Sequence, residues 1–290
     1  MSFAKTAAAG LVALMLSGAA LAASPLKVAT NPTFPPFEFQ DSKTGAVQGF
    51  EVDLIREMAK VMNRDLELVT ISFDAILPAI LSGTVDAGAS GFSITPERAK
   101  RVLFTDPFYT SGLTIVVKKG NDAVKGFADL KGKKISVQIG TTSAAAAKKI
   151  ENTEISNFNS AGDAILNMLA GNADAVINDK PVTDYILAQN ASLAAQTVHL
   201  PEMATADQFA MVVSKKNEAL RDEMNAALKT LKENGKFDEL HVKWFGKPAD
   251  KGFPLRGRST QAPAPRDTRR RNARLNPRAF FFSAFFSNFP

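Results

Sequence analysis

The sequence predicts an α/β protein in which mostly parallel sheets are flanked by helices. Along residues 24–250, short apolar runs typical of buried strands alternate with segments whose apolar residues recur at the spacing of a helix. The order helix, glycine, buried strand also occurs twice, which indicates an internal repeat. Strands that alternate with helices favour parallel pairing. This region is long enough for one large domain or two small lobes.

The first part of the region carries five predicted elements and a proline-rich loop at residues 31–37. The longer helix is predicted from the helical period of its apolar residues, and the shorter one ends at Gly83. The predicted elements are strands at 26–30, 66–71 and 85–89 and helices at 49–63 and 74–81.

Residues 90–98, which follow the third of these strands, form the main candidate site. Thr95 and Pro96 predict a helix start, because Thr is a favoured N-cap and Pro is favoured at the first helical position. Arg98 then falls in the first turn, where the helix dipole disfavours a cation. A cation is expected there if it shares a bound anion with Ser93 and free backbone N–H groups. The alternative is a solvated arginine on a surface helix.

The second copy of the repeat places another polar loop after a buried strand. Residues 74–87 resemble residues 163–175, and the strands that follow open at Ser90 in the first copy and at Asn178 and Asp179 in the second. Ligands of open α/β sheets bind at the carboxyl ends of strands, so the two loops are corresponding site candidates. Chance similarity between short Ala-, Leu- and Gly-rich segments is the alternative.

Between and after the copies, the pattern continues. A predicted strand at 135–138 leads into a loop at 139–143 and a helix that begins at Ala144. The loop lacks the spacing and the lysine of a nucleotide P-loop, so phosphate binding is not favoured. The last predicted elements are a strand at 208–213 and helices at 218–233 and 236–244.

The beginning of the chain predicts secretion. Residues 1–23 combine Lys5, an apolar segment and small residues, which is typical of a signal peptide cleaved after Ala22 or Ala23. The apolar segment is too short for a lasting membrane anchor. The sequence has no cysteine, so neither a disulfide nor a cysteine-linked lipid is expected. We therefore expect a soluble periplasmic protein.

The net charge of +6 is placed unevenly. Residues 251–290 hold nine Lys/Arg and one Asp, whereas residues 24–250 hold 25 Lys/Arg and 28 Asp/Glu. The region predicted to fold is therefore slightly acidic, and nucleic-acid binding is not expected. Pro, Arg and Ser dominate most of residues 251–290, and Phe dominates their end, so we predict a disordered tail outside the fold.

Five short motifs distributed along the chain are specific in combination. They are Ala29-Thr30-Asn31-Pro32-Thr33-Phe34-Pro35-Pro36-Phe37-Glu38-Phe39, Gly49-Phe50-Glu51-Val52-Asp53-Leu54, Ile94-Thr95-Pro96-Glu97-Arg98, Phe104-Thr105-Asp106-Pro107-Phe108-Tyr109 and Lys243-Trp244-Phe245-Gly246. With them the chain resembles the periplasmic polar amino-acid binding proteins of ABC importers, especially the glutamine-binding type. The resemblance runs from about Leu26 to Pro248.

The resemblance implies a type II periplasmic binding protein fold, in which two lobes joined by two crossover strands close on a ligand. Lobe 1 would comprise residues 24–107 and 210–250, and lobe 2 would comprise residues 113–204. The crossovers would lie near residues 107–112 and 205–209. Hinge closure would present the closed form to a membrane permease.

The resemblance also implies which residues would hold an amino acid. Arg98 would bind the α-carboxylate with Ser93 and the backbone at Thr142, and Asp179 would bind the α-ammonium with Ser90. Two rings would enclose the aliphatic part of the ligand, and three amide side chains would face its side-chain end. The rings are Phe34 and Phe73, and the amides are Asn31, Gln138 and Asn178.

Several of these residues could alternatively have a purely structural role. The two phenylalanines are alternatively core residues, and Asp179 is alternatively the N-cap of a helix near Pro181. Three acidic residues, Glu38, Glu51 and Asp53, are interpreted as structural or partner-facing charges outside the site.

The three amides predict a neutral polar ligand. Relatives that bind basic amino acids usually have an acid at the position of Asn31. Glutamine-binding relatives tend to have an acid there, a Lys at the position of Gln138 and a His at that of Asn178. All three are neutral in this chain, and burying an unpaired ligand charge is costly. Glutamine is therefore the first expectation, and a basic amino acid is the alternative.

Two other functions are alternatives to transport. Some proteins of this fold dehydrate cyclic acids, which requires a general acid in the cleft. The two histidines, His199 and His241, lie away from the cleft loops, so a catalytic triad or a metal cluster is not expected. We therefore expect a monomer without enzymatic activity, cofactor or metal, whose partners are an amino acid and an ABC permease. A sensory binding protein would use the same ligand chemistry with a different partner.

Overall fold

The computed structural model describes residues 25–250. The predicted signal peptide at 1–23 and the predicted tail at 251–290 lie outside the described residues. The strands are β1 Leu26–Thr30, β2 Thr33–Phe34, β3 Glu38–Gln40, β4 Val47–Gln48, β5 Leu66–Thr70, β6 Ala87–Gly88, β7 Val102–Phe104, β8 Tyr109–Ser111, β9 Leu113–Lys118, β10 Lys134–Gln138, β11 Glu154–Phe158, β12 Ala175–Asp179, β13 Thr197–His199, β14 Asp207–Phe209 and β15 Val212–Ser214. The helices are α1 Phe50–Val61, α2 Phe73–Ser82, α3 Pro96–Ala99, α4 Thr142–Ala147, α5 Ala161–Leu169, α6 Lys180–Gln189, α7 Ala191–Gln196, α8 Glu218–Glu233 and α9 Lys236–Phe245, with a 3-10 turn at Phe127–Leu130.

The first sheet has five strands in the order β5, β1, β6, β15 and β7. β1 pairs in parallel with β5 and β6, and β15 runs antiparallel to β6 and β7. Four of the strands therefore point the same way. Val28 and Ala29 are adjacent on β1 but belong to different apolar cores, as the alternation of side chains in a strand requires. Helices α1, α8 and α9 cover one face of the sheet, and α2 covers the other.

The second sheet repeats this arrangement in the order β11, β10, β12, β9 and β13. β10 is parallel to β11 and β12, and β9 is the one strand that opposes the others. Helices α4 and α5 contribute to separate apolar cores that share strands of this sheet. The predicted α/β architecture, with two lobes and mostly parallel sheets flanked by helices, is confirmed.

The sequence repeat is also a structural repeat. Its first copy ends in β6 and its second in β12, and each of these is the central strand of its sheet, next to the opposed strand. The loops after the two strands therefore occupy corresponding positions at the carboxyl ends of the two sheets.

The chain passes between the sheets twice, along β8 and along β14. These strands pair antiparallel with each other, with Tyr109 opposite Phe209 and Ser111 opposite Asp207. Gly112 follows β8 at a point of close approach, because a Cβ there would lie 2.2 Å from the carbonyl oxygen of Thr205. Backbone hydrogen bonds thus hold the two crossings side by side, and Gly112 allows their close approach.

Two predicted strands differ from the observed ones. The strand predicted at 208–213 is two strands, β14 and β15, because Ala210 and Met211 carry the chain from the crossover into the first sheet. Here the N–H of Ala210 donates to the carbonyl of Phe92, and that of Met211 donates to the side chain of Thr105. The strand predicted at 85–89 is confined to β6, since only these residues pair with β1 and β15. The loop predicted at 31–37 contains β2, which pairs with β3 in a small separate sheet.

Within residues 25–250, no helix combines the length and the apolar character that crossing a membrane would require.

Candidate functional site

A cavity of about 290 Å³ lies between the carboxyl ends of the two sheets. It is lined from both sides of the crossing strands, and nine of the ten residues predicted for the site are among its lining residues. The lining residues are Asn31, Phe34, Phe73, Ser90, Gly91, Ser93, Arg98, Gln138, Thr141, Thr142 and Asp179. The tenth predicted residue, Asn178, is not among them, although it directly precedes Asp179 on β12.

Arg98 enters the cavity from α3, whose start has the predicted geometry. The hydroxyl of Thr95 accepts from the N–H of Arg98 at 3.2 Å and caps the helix. The guanidinium donates from Nη1 to the carbonyl of Ser93 at 2.9 Å and from Nη2 to the carbonyl of Gly140 at 3.1 Å. Its Cζ lies 5.4 Å from the ring centroid of Phe73. Arg98 is therefore held in place by the first sheet and reaches across to the second.

Burial lowers the pKa of Arg98 to about 10, and the charges of Asp179 and Asp207 oppose this shift. The guanidinium remains charged at neutral pH. Among the described residues that line the cavity it is the one cation.

Asp179 faces the cavity from the end of β12 and is 3% exposed. Although it occupies the N-cap position of α6, its side chain makes no capping hydrogen bond. Instead, its Oδ1 accepts from the hydroxyl of Ser111 at 2.8 Å. Burial raises the pKa of Asp179 to about 7; the hydrogen bond from Ser111 opposes this, Asp207 adds to it and Arg98 opposes it. This carboxyl group lacks a cationic hydrogen-bond partner in the described chain, and a ligand cation would supply one.

The loop from Ser90 to Ser93 is fixed to the first sheet and to a crossover. The backbone of Ser93 forms an isolated β-bridge with Phe209, and the N–H of Ile94 donates to the carbonyl of Gln208 at 2.8 Å. The hydroxyl of Ser93 lies 3.4 Å from that of Thr142, on the opposite side of the cavity. The loop is thus hydrogen-bonded directly to the crossover strand β14.

Two aromatic rings line the cavity, and both are nearly buried. Phe34 packs against Phe209, with ring centroids 6.0 Å apart, and Phe73 stacks on Phe92 at 4.6 Å. Gly91 permits this packing, because a Cβ at Gly91 would lie 2.6 Å from the ring of Phe34. Both rings therefore have a core side and a cavity side, so the two interpretations offered by the sequence are compatible.

At the predicted side-chain end of the cavity, the amide side chains of Gln138 and Asn31 bond to each other across it. Gln138 Nε2 donates to Asn31 Oδ1 at 3.2 Å and to the carbonyl of Asn159 at 3.0 Å. Gln138 Oε1 is buried and accepts no hydrogen bond within the described chain. Asn178 instead turns its amide towards Thr183, to which Nδ2 donates at 3.1 Å. The free acceptor at this end is therefore the oxygen of Gln138.

The structure adds residues that were not predicted to be near the site. Gly91 and Thr141 line the cavity. Glu38 and Glu51, interpreted from the sequence as structural or partner-facing, are 0% exposed and lie directly behind the Ser90 loop, so a partner-facing role is wrong for both. Spacing carried a signal for Glu51, which is four residues before the buried Ile55 on α1.

The histidines lie outside the cavity, as expected. His199 Nδ1 is 3.0 Å from Asp184, and Nε2 is 2.7 Å from the hydroxyl of Thr114. This order of groups resembles a catalytic triad, but Thr114 is 0% exposed and cannot meet a substrate. His241 packs among aromatic rings that include Phe245. Within residues 25–250, no group of three or more His, Asp or Glu side chains is arranged to hold a metal ion.

Sequence comparison assigns the family. The profile of the bacterial extracellular solute-binding proteins, family 3, matches residues 26–247. The chain belongs to this family. Relatives in family 3 include an arginine-binding periplasmic protein of Mannheimia haemolytica, 32% identical over 76% of this chain and 90% of that protein. Another is a probable histidine-binding protein of Campylobacter jejuni, 34% identical over 76% of this chain and 84% of that protein.

Solved structures similar to the chain have the same architecture. An ancestral arginine-binding protein bound to arginine is 37% identical, covers 77% of this chain and 98% of its own, and has a TM-score of 0.73. A structure of an ancestral arginine-binding protein bound to glutamine is 38% identical, covers 77% of this chain and 98% of its own, and also has a TM-score of 0.73. An ancestral amino acid-binding protein described as a precursor of cyclohexadienyl dehydratase is 38% identical over 76% and 95%, with a TM-score of 0.69.

Proposed function

We propose that this family 3 protein captures an L-amino acid with a basic side chain, arginine first, in the periplasm and delivers it to an ABC importer. The observation that carries the proposal is the placement of Arg98 and Asp179 on opposite sheets of one closed cavity.

Arg98 and Asp179 form a clamp for a zwitterion. The guanidinium offers charge-assisted hydrogen bonds to an α-carboxylate, supported by the hydroxyls of Ser93 and Thr142. The carboxylate of Asp179, already fixed by Ser111, accepts from an α-ammonium. Opposite charges at the two walls orient every α-amino acid in the same way, so they determine the class of ligand rather than its side chain.

The side-chain end of the cavity favours a ligand that donates hydrogen bonds. The amide nitrogen of Gln138 is already engaged with Asn31 and Asn159, which leaves Oε1 as an unpaired buried acceptor. An unpaired buried acceptor costs about 1–3 kcal/mol, and a ligand N–H group removes that cost. Guanidinium, imidazole and carboxamide groups all supply such a donor.

The names of the relatives favour the basic amino acids within this set. The expectation of glutamine rested on the absence of a carboxylate among the amides at this end. A guanidinium, however, also bonds to neutral oxygens and stacks on aromatic rings such as Phe34 and Phe73. The relatives named above are described as arginine-binding or histidine-binding, and one pair of solved structures holds arginine and glutamine in turn. We therefore place arginine first and keep glutamine as the second candidate.

Closure of the cavity supports a capture-and-release role. Arg98 to Gly140 and Gln138 to Asn31 are hydrogen bonds that join the two sides of the cavity. A ligand held by both sides stabilises the closed form by its differential affinity, and the closed form is then the species that a permease recognises.

The test is a binding screen with the full chain, unfolded and refolded to remove any ligand retained during purification. Calorimetry compares L-arginine with L-citrulline, its uncharged isostere, and with lysine, histidine and glutamine. We expect arginine to bind most tightly, with citrulline weaker because its side chain carries no charge. Gln138→Met should weaken arginine binding, and Gln189→Met, an exposed position on α6, serves as the control. Tighter binding of glutamine and citrulline than of arginine would contradict the basic preference.

The dehydratase alternative predicts a different outcome. A protein that binds none of these amino acids but shifts in thermal stability with cyclic carboxylic acids, and converts them, would overturn the transport proposal. Asp179 would then be the candidate general acid, since its pKa is raised to about 7.

A further inference from the structure

Two carboxyl groups lie directly behind the loop that carries Ser90. Glu38 is on β3 and Glu51 is in the first turn of α1, and both are 0% exposed. The proposed binding reaction uses neither of them. Buried carboxyl groups are costly unless they are paired, so their position requires an explanation.

Each carboxyl group holds one part of the loop. Ser90 Oγ donates to Glu38 Oε1 at 3.1 Å, and the N–H of Gly91 donates to Glu51 Oε2 at 2.7 Å. The other oxygen of each group, Glu38 Oε2 and Glu51 Oε1, is buried and has no hydrogen-bond partner within residues 25–250. The pair is therefore held to the loop through one oxygen of each group.

The electrostatics keep both carboxyl groups protonated. Burial raises the pKa of Glu38 well above its usual value, and the charge of Glu51 raises it further. Burial also raises the pKa of Glu51 to about 8, against the opposing hydrogen bond from Gly91. At neutral pH the oxygen of each group that faces the loop is therefore a neutral acceptor.

This arrangement determines what Ser90 offers to the cavity. A hydroxyl has one proton and two lone pairs. The proton of Ser90 goes to Glu38, and one lone pair accepts from the N–H of Asn31 at 3.0 Å. Ser90 also lines the cavity, so the remaining lone pair is the one available to a ligand.

We propose that Glu38 and Glu51 are a positioning pair that holds the Ser90-Gly91 loop and orients the hydroxyl of Ser90 as an acceptor towards the subsite for the ligand ammonium. The inference rests on the proposed function, because it assigns the pair to the ammonium end of the same cavity. Ser90 and Asp179 then accept from the ammonium together.

The experiment is a cycle of variants and ligands with the full chain. L-Arginine is compared with 5-guanidinopentanoate, which keeps the guanidinium and the carboxylate but lacks the α-amino group. In Glu38→Met the acceptor for the hydroxyl proton of Ser90 is lost. We expect arginine affinity to fall about tenfold or more, which corresponds to about 1.4 kcal/mol, with a clearly smaller loss for 5-guanidinopentanoate. Glu57→Met, on the outer side of the same helix α1, serves as the matched control.

Rescue by a conservative variant separates positioning from folding. In Glu38→Gln the amide oxygen accepts from Ser90 in place of the carboxyl oxygen, so the hydroxyl keeps its orientation. We expect it to restore most of the preference for arginine over 5-guanidinopentanoate. Infrared difference spectra of wild type minus Glu38→Gln at neutral pH should show the C=O stretch of a protonated carboxylic acid, and this readout does not need the Met variant to fold.

Three results would overturn the inference while the proposed function stands. They are an equal loss for both ligands in Glu38→Met, a failure of Glu38→Gln to restore the preference for arginine, and the absence of a protonated-acid band at neutral pH. Failure of the wild type to bind any amino acid would instead overturn the proposed function, and this inference with it.

Discussion

Replacing Arg98 with alanine tests the carboxylate end of the proposed clamp. The substitution removes the one cation among the described cavity-lining residues and also removes its cross-cavity bond to Gly140. The two losses have different signatures. The first affects only ligands with a carboxylate, whereas the second affects closure on any ligand.

The expected magnitude follows from the contacts. A bidentate carboxylate receives two charge-assisted hydrogen bonds from the guanidinium, each contributing about 1.5–3 kcal/mol. At the lower end the loss is about 3 kcal/mol, which weakens binding on the order of 100-fold.

The assay is calorimetric titration of wild type and Arg98→Ala with arginine and with agmatine, which lacks the carboxylate. Arginine should lose about two orders of magnitude in affinity, and agmatine should lose little because it has no anion for Arg98 to bind. Arg101→Ala, an exposed arginine three residues further along, serves as the matched control. An equal loss for arginine and agmatine would refute the assignment, since Arg98 would then act on closure alone.

Three further predictions follow from the same structure. Arginine affinity should fall about tenfold per pH unit below about 7, because Asp179 must lose its proton to meet the ammonium; titrations from pH 5 to 8 check this, and a flat profile contradicts it. The free energy of unfolding without ligand should decrease as pH rises from about 4.5 to about 8. The reason is that the pKa of Glu51 is about 8 in the folded protein and 4.5 in the unfolded chain, so only the folded state keeps this proton over that range. Denaturant unfolding at pH 5 and pH 8 measures the difference, and greater stability at pH 8 would argue against buried neutral carboxyl groups. Gly112→Ala should destabilise the protein by about 1–3 kcal/mol through its clash with Thr205; Gly162→Ala is the control in thermal unfolding, and equal stability of the two variants counts against the close approach.

Local signals in the sequence predicted much of the fold. Thr95 and Pro96 specify the start of α3 by capping and by a fixed φ, so the orientation of Arg98 followed from four adjacent residues. The repeat located both site loops, because each copy carries its own helix, glycine and strand. Apolar periodicity placed α8 at residues 218–233, where it is observed.

Features that depend on long-range contacts were not predictable in the same way. The burial of Glu38 depends on Ser90, 52 positions along the chain. The hydrogen bond from Gln138 to Asn31 likewise joins residues 107 positions apart. The identity of the ligand is the clearest case. Neutral residues at the side-chain end predict a neutral ligand, whereas the proposal of a basic one also rests on which atom of Gln138 is left unpaired after folding.

The contact between Ser93 and Phe209 makes the crossover strand part of the binding site itself. Because this bridge and the hydrogen bond from Ile94 to Gln208 join the serine loop to β14, a hinge rotation at the crossovers would also move the carboxylate end of the cavity. A substitution buried in the crossover, away from the cavity lining, would then change carboxylate binding without any change in the residues that line the cavity.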